Sequence, residues 1–160
     1  MSRSTPTTLA ELSAPGRVTV MGIVNVTEDS FSDGGRFLAV DAAVAHAREL
    51  VELGADIIDV GAESTRPGAT RVSAQVEAAR VAPVITALSQ EGIRTSVDTM
   101  RASTALAAAE AGVDMINDVS GGLADPDMYN AMAQTGLPVC LMHWRTQQFE
   151  SAAGAADHGG

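Results

Sequence analysis

Short apolar runs alternate with longer Ala-rich segments along this chain, and each run ends on or beside a polar residue. The runs are Val18-Thr19-Val20-Met21-Gly22-Ile23-Val24, Asp56-Ile57-Ile58-Asp59-Val60, Arg94-Thr95-Ser96-Val97-Asp98, Met115-Ile116-Asn117 and Leu137 to Met142. Each is of strand length and too short for a helix. The segments between them are too long for hairpin loops, so consecutive strands must run parallel, joined by right-handed helical crossovers. The first run is nearly continuous in apolar residues, which predicts a strand covered on both faces.

Apolar residues at helical spacing fill the connections. Asp41 is expected to cap a helix that lines up Val44, Ala47 and Leu50/Val51, closed by Gly54. Ser73 is expected to cap a second, with Val81, Val84, Ile85 and Leu88 inward; Pro83 inside it predicts a kink or a late start. A third helix over Ser103–Ala111 should pack Leu106 and Ala109 inward and stop at Gly112. Asp125 with Pro126 predicts the start of a fourth, ended by Gly136. Four strand–helix units plus a fifth strand make an α/β chain. The stretch Gly54-Ala55-Asp56-Ile57-Ile58-Asp59 returns 58 residues later as Gly112-Val113-Asp114-Met115-Ile116-Asn117. A match between alternate strands suits a barrel, whose layers come from alternate strands; Gly-x-Asp as a plain helix-to-strand turn is the alternative.

Charge excludes several functions. The net charge is −10, and all ten basic residues are Arg. Without Lys there is no amine for a Schiff base and no phosphate-binding P-loop lysine. So acidic a surface argues against nucleic-acid binding, which needs basic side chains on phosphates. Cys140 is the single cysteine, so no internal disulfide forms; its apolar neighbours predict a buried, inert thiol. No apolar stretch reaches the roughly 20 residues of a membrane span. Residues 1–16 are Ser/Thr/Pro-containing with no apolar signal region and are expected to be a flexible leader. Residues 17–145 then form the barrel portion and 146–160 an unassigned tail, and the expected location is cytoplasmic.

Polar residues gather where the strands end: Asn25, Asp59 with Glu63 beyond it, Asp98, Asn117 with Asp118, and His143. In barrels and open parallel sheets this edge binds ligands. Asp98 accepts hydrogen bonds, and Asn117 both donates and accepts, a pair suited to an amino-pyrimidine edge. A helix cap for Asp98 and a turn for Asn117 are the plain alternatives. Ser64-Thr65-Arg66-Pro67-Gly68 offers hydroxyls, backbone N–H groups and a guanidinium to an anion, although Pro-Gly also marks a turn. Asn25 offers a carbonyl oxygen to a hard cation such as Mg²⁺. Thr27 to Gly35 reads either as a lid or as an ordinary loop. His46, mid-helix among alanines, reads as surface or packing, and no Cys/His spacing suggests zinc.

Taken together, Met21-Gly22-Ile23-Val24-Asn25-Val26-Thr27, Asp29-Ser30-Phe31-Ser32-Asp33-Gly34-Gly35, Asp59-Val60-Gly61, Glu63-Ser64-Thr65-Arg66-Pro67-Gly68-Ala69, Ser96-Val97-Asp98-Thr99, Ile116-Asn117-Asp118-Val119-Ser120-Gly121-Gly122 and Leu141-Met142-His143 resemble the dihydropteroate synthase family. Glu28, where the family often has Pro, and Ala62, where a second Gly is usual, are small departures. The resemblance implies a partial (β/α)8 TIM barrel holding the first five strands and four helices, with the C-terminal units absent. It implies a transferase that joins (7,8-dihydropterin-6-yl)methyl diphosphate to 4-aminobenzoate in folate biosynthesis, releasing diphosphate with Mg²⁺. By the same resemblance Asn25 matches the metal-linked Asn, Thr65 and Arg66 meet the diphosphate, Asp98 and Asn117 hold the pterin edge, and Phe31 and Ser32 help form the aminobenzoate pocket. The family also has a further Asp, a Gly-x-Ser-Arg-Lys segment and an Arg-x-His pair in later strands. A fragment inactive by itself is therefore expected, from a full-length enzyme for which the resemblance allows a homodimer. The rivals are a pterin-binding methyltransferase-type barrel and a non-catalytic half-barrel that pairs with another chain.

Overall fold

The computed structural model describes residues 18–26, 33–62 and 72–141. Within them lie β1 (Met21–Asn25), α1 (Asp33–Glu52), β2 (Ile57–Gly61), α2 (Ala74–Gln90), β3 (Thr95–Asp98), α3 (Ala102–Ala111), β4 (Met115–Asp118), α4 (Met128–Thr135) and β5 (Val139–Leu141). The strands form one sheet in the order β1-β2-β3-β4-β5, every neighbouring pair parallel. Sequential order with helical crossovers is the βαβ repeat expected from the alternating runs.

The helices pack on one face of the sheet. Val24, Val60, Val97 and Ile116 are partners along one row of the ladder. They join Val81, Val84, Ile85 and Leu88 of α2 and Ala105 and Ala108 of α3 in a single core. All four predicted α2 residues are fully buried, as the period-3.6 stripe required. The opposite face carries Ile23, Asp59, Ser96 and Met115 in one row, and Asn25, Gly61, Asp98, Asn117 and Cys140 in the next.

Several expectations are corrected. β1 is not covered on both faces: Val24 is buried, whereas Ile23 is 61% exposed, because only alternate residues meet α1. α1 starts at Asp33, not at Asp41, which lies exposed within the helix; Val44 and Ala47 do form its buried stripe. Ser73 caps α2 as predicted, its Oγ accepting from the Val76 N–H at 3.2 Å. α2 nonetheless begins at Ala74 and continues past Pro83 without a late start. In α3 the inward residues are Ala102, Thr104, Ala105 and Ala108, while Leu106 is 36% exposed. An Ala-rich helix gives little contrast between faces, and the small-residue face wins because it lets α2 approach closely.

Asp125 does not cap α4, which begins at Met128 behind Asp127 with no side-chain cap. Its Oδ2 instead accepts from the Ala102 N–H at 2.8 Å, capping α3 from the following unit. Cys140 is exposed, not buried, since β5 lies at the sheet edge of the described residues. The Gly-x-Asp echo has a structural role in both copies. Asp56 Oδ2 accepts from the Val20 N–H at 2.8 Å, and Asp114 Oδ2 from the Thr95 N–H at 2.9 Å. Each aspartate ties the start of its own strand to the strand before, after a glycine with positive φ (Gly54 115°, Gly112 104°).

Candidate functional site

Parallel pairing puts residues of one ladder row on the same face of the sheet. The row Asn25–Gly61–Asp98–Asn117 therefore delivers three of the predicted site residues to one face at the C-terminal ends of β1, β3 and β4. Gly61 holds the middle of that row without a side chain. A Cβ there would stand 3.3 Å from Asp98 Cβ and 3.5 Å from both Asp98 Oδ2 and Asn25 Oδ1. Asn25 and Asp98 thus lean over the glycine from both sides, and their oxygens converge.

A carboxylate one step deeper supports this row. Asp59 on β2 is 3% exposed; its Oδ1 accepts from Ser96 Oγ at 2.5 Å and its Oδ2 from Asn117 Nδ2 at 3.3 Å. Burial holds its carboxyl above the usual carboxylate range, and the bonds from Ser96 and Asn117 pull the other way. Asp118, next to Asn117, turns to the opposite face. Its oxygens accept from the Ser120 N–H (2.8 Å), the Ser120 hydroxyl (2.7 Å) and the Gly122 N–H (3.0 Å), which fixes the loop after β4.

The capping role first weighed for Asp98 belongs elsewhere, since α3 is capped by Asp125 and Thr99 Oγ1 accepts from the Arg101 N–H at 3.1 Å. Thr65 and Arg66, Phe31 and Ser32, and also Glu63 and His143, lie outside the described residues. His46 is exposed on α1, remote in the chain order from the rim.

Sequence reasoning missed Asp59 as a support, Gly61 as a gap, and a buried cluster behind the rim. Glu77 of α2 accepts from Thr99 Oγ1 (2.9 Å), Thr104 Oγ1 (2.6 Å) and Arg101 Nη1 (3.2 Å). Arg101 Nη2 then donates to the Val72 carbonyl at 2.6 Å, and Arg80 Nη1 to the Ala62 carbonyl at 3.5 Å. Guanidinium groups from α2 and the start of α3 therefore hold the two residues that bracket positions 63–71. Glu77 could have been suspected from its acidic side chain at an inward position of the α2 stripe. Gly61 carried no such signal.

A parallel α/β sheet with helices on one face and a row of amide and carboxylate groups at its C-terminal edge has the arrangement of a (β/α)-barrel rim. The chain belongs to the pterin-binding enzyme family, whose model matches residues 21–158. It is similar to the dihydropteroate synthase of Mycobacterium leprae, 51% identical over 133 residues that cover 83% of this chain and 47% of that protein. The Bacillus subtilis dihydropteroate synthase is 49% identical over 138 residues, covering 86% and 48%. Among solved structures, Xanthomonas albilineans dihydropteroate synthase with 4-aminobenzoic acid superposes with a TM-score of 0.73 at 51% identity, over 82% of this chain and 48% of that one. The Clostridium difficile enzyme in the presence of pteroic acid gives 0.75 at 48% identity, over 82% and 50%. The chain spans about half the length of the curated relatives it matches.

Proposed function

We propose that this chain supplies the pterin- and diphosphate-facing half of a dihydropteroate synthase. The reaction joins (7,8-dihydropterin-6-yl)methyl diphosphate to 4-aminobenzoate and releases diphosphate. The observation that carries this reading is the convergence of Asn25 and Asp98 over Gly61, with Asn117 next in the same row.

Asp98 and Asn117 bind the edge of the pterin ring through its polar groups. The negative charge of Asp98 also favours positive charge developing on the ring as diphosphate leaves, so the protein's contribution is chiefly positioning and electrostatics. Thr65 and Arg66 bind the diphosphate, and Phe31 and Ser32 help to enclose 4-aminobenzoate. The arylamine nitrogen then attacks the exocyclic carbon that diphosphate has left, and the new secondary amine gives up one N–H proton to solvent or to the released diphosphate.

Mg²⁺ fits the donors present. Asn25 contributes a carboxamide oxygen, a hard donor, at the strand end, and Mg²⁺ commonly takes one or two protein oxygens and fills its shell with water and phosphate. When bound, it neutralises charge on the departing diphosphate. A cytoplasmic location and a homodimeric full-length enzyme belong to the same reading. No helix among the described residues is long and apolar enough to cross a membrane.

Two measurements test the proposal. Equilibrium dialysis of the purified chain against 2-amino-4-oxopteridine should show weak binding that Asp98→Ala and Asn117→Ala abolish. A chimera joining this chain to the remaining half of the Bacillus subtilis enzyme should form dihydropteroate, while the 160-residue chain alone should not. Unchanged binding in both variants would remove the pterin assignment.

A further inference from the structure

Asp59 is 3% exposed, accepts hydrogen bonds from two polar side chains and sits one step deeper in the sheet than the rim row. Its chemistry nonetheless reaches the rim. An ionised carboxylate only accepts hydrogen bonds, so the end of the Asn117 carboxamide that faces it must be the NH₂. The nitrogen and oxygen of a primary amide diverge, and fixing the NH₂ on Asp59 turns Oδ1 away from it. Ser96 Oγ, donating to the other oxygen of Asp59 at 2.5 Å, prevents that carboxylate from rotating out of place.

The site row then presents acceptors side by side: the carboxylate of Asp98 and the carbonyl oxygen of Asn117, partners on β3 and β4. A ring edge that meets both must bring donors. An exocyclic amine next to a ring N–H supplies them, whereas a carbonyl in place of the amine sets acceptor against acceptor.

We propose that Asp59 is a positioning residue that sets the hydrogen-bond polarity of Asn117, and through it makes the site select a 2-amino-4-oxopteridine over the 2,4-dioxo analogue. This rests on the pterin reading above and adds to it a specificity determinant outside the ligand contacts. The device spans three strands, Ser96 on β3 and Asp59 on β2 acting on Asn117 of β4.

Substitution of Asp59 by Asn separates polarity from shape. If Ser96 keeps its acceptor on Asp59→Asn, the new amide offers N–H to Asn117, whose oxygen must turn inward and whose NH₂ then faces the ligand. Equilibrium dialysis of the intact chain against 2-amino-4-oxopteridine and pteridine-2,4-dione, for the unmodified chain, Asp59→Asn, Ser96→Ala and Asn117→Ala, reads this directly. The unmodified chain should favour the amino compound by about tenfold or more. Asp59→Asn should lose that preference or reverse it, and Ser96→Ala should erode it in part.

If Asn117→Ala weakens binding while Asp59→Asn and Ser96→Ala keep the full preference, the inference is overturned and the pterin reading survives. If Asn117→Ala changes nothing, or the unmodified chain binds neither pteridine, the pterin reading falls and the inference with it. Should Asp59→Asn fail to fold, Ser96→Ala decides, together with the ¹⁵N resonance of the Asn117 side chain in the ligand-free protein. That resonance should shift in Ser96→Ala, and an unmoved resonance with an unmoved preference overturns the proposal.

Discussion

Asn117 on β4 donates its side-chain N–H to Asp59 on β2 across the intervening strand β3, 3.3 Å away and 58 residues earlier in the chain. The ladder puts Asp59 level with Ser96 and Asn117 level with Asp98, two residues further along β3. Strand tilt in a barrel offsets that difference, so residues from alternate strands meet in one layer. The same 58-residue spacing separates the two copies of the Gly-x-Asp echo. The repeat therefore places Asp59 and Asn117 at equivalent positions of alternate strands, which is why their side chains meet.

Gly61 is a position where one added methyl group would crowd the rim row. Gly61→Ala brings a Cβ to 3.3 Å from Asp98 Cβ and 3.5 Å from Asn25 Oδ1. The backbone tolerates Ala, so thermal unfolding should change by about 1 kcal/mol or less. Pterin binding, read by dialysis, should fall at least about tenfold as Asp98 and Asn25 are pushed apart. Equal binding at equal stability would mean that the convergence over Gly61 is not used.

The buried carboxyl of Asp59 leaves a mark on stability against pH. Its folded pKa lies above its unfolded value, chiefly through burial, so the folded state holds the proton more tightly. Its contribution to stability is fully present below the unfolded carboxylate pKa, about 3.9, and is lost as pH rises through the higher folded value. Asp59→Asn should remove that part of the slope, so urea midpoints across this window should fall less with rising pH in the variant. A difference between the two proteins that is flat in pH would contradict a perturbed Asp59.

Glu77 accepts three hydrogen bonds in the interior behind the rim, and the one from Arg101 is also an ion pair. Glu77→Ala takes the acceptor away from two buried hydroxyls and from Nη1 of Arg101, a change that costs about 3 kcal/mol. Arg101→Met should cost less, because Arg101 keeps a fifth of its side chain in water while Glu77 is enclosed. Chemical denaturation of both variants checks the order, and a cheap Glu77→Ala would mean that water replaces the lost carboxylate.

The exposed and buried faces of α3 can be told apart with two substitutions. Leu106→Gln should change stability by about 0.5 kcal/mol or less, because Leu106 faces outward. Ala108→Leu should cost about 1–3 kcal/mol, because Ala108 is fully enclosed against α2. The reverse ranking would restore the face that the apolar pattern alone suggested.

Much of the fold is determined locally, and the sequence by itself carried it. Strand and helix order, the α2 stripe, the Ser73 cap and the glycine stops at 112 and 136 depend on residues within a few positions of one another. The strand-end positions of Asn25, Asp98 and Asn117 were legible for the same reason, because a parallel βαβ repeat sends every strand end to one edge. Other features depended on partners far away in the chain, and only the tertiary structure decided them. Asp125 caps α3 instead of α4, Asp59 orients Asn117, Gly61 makes room for Asn25 and Asp98, and α3 buries its alanines instead of Leu106. The physical difference is range: hydrophobic period and caps act along one element, whereas which carboxylate meets which donor is set by register and tilt between strands.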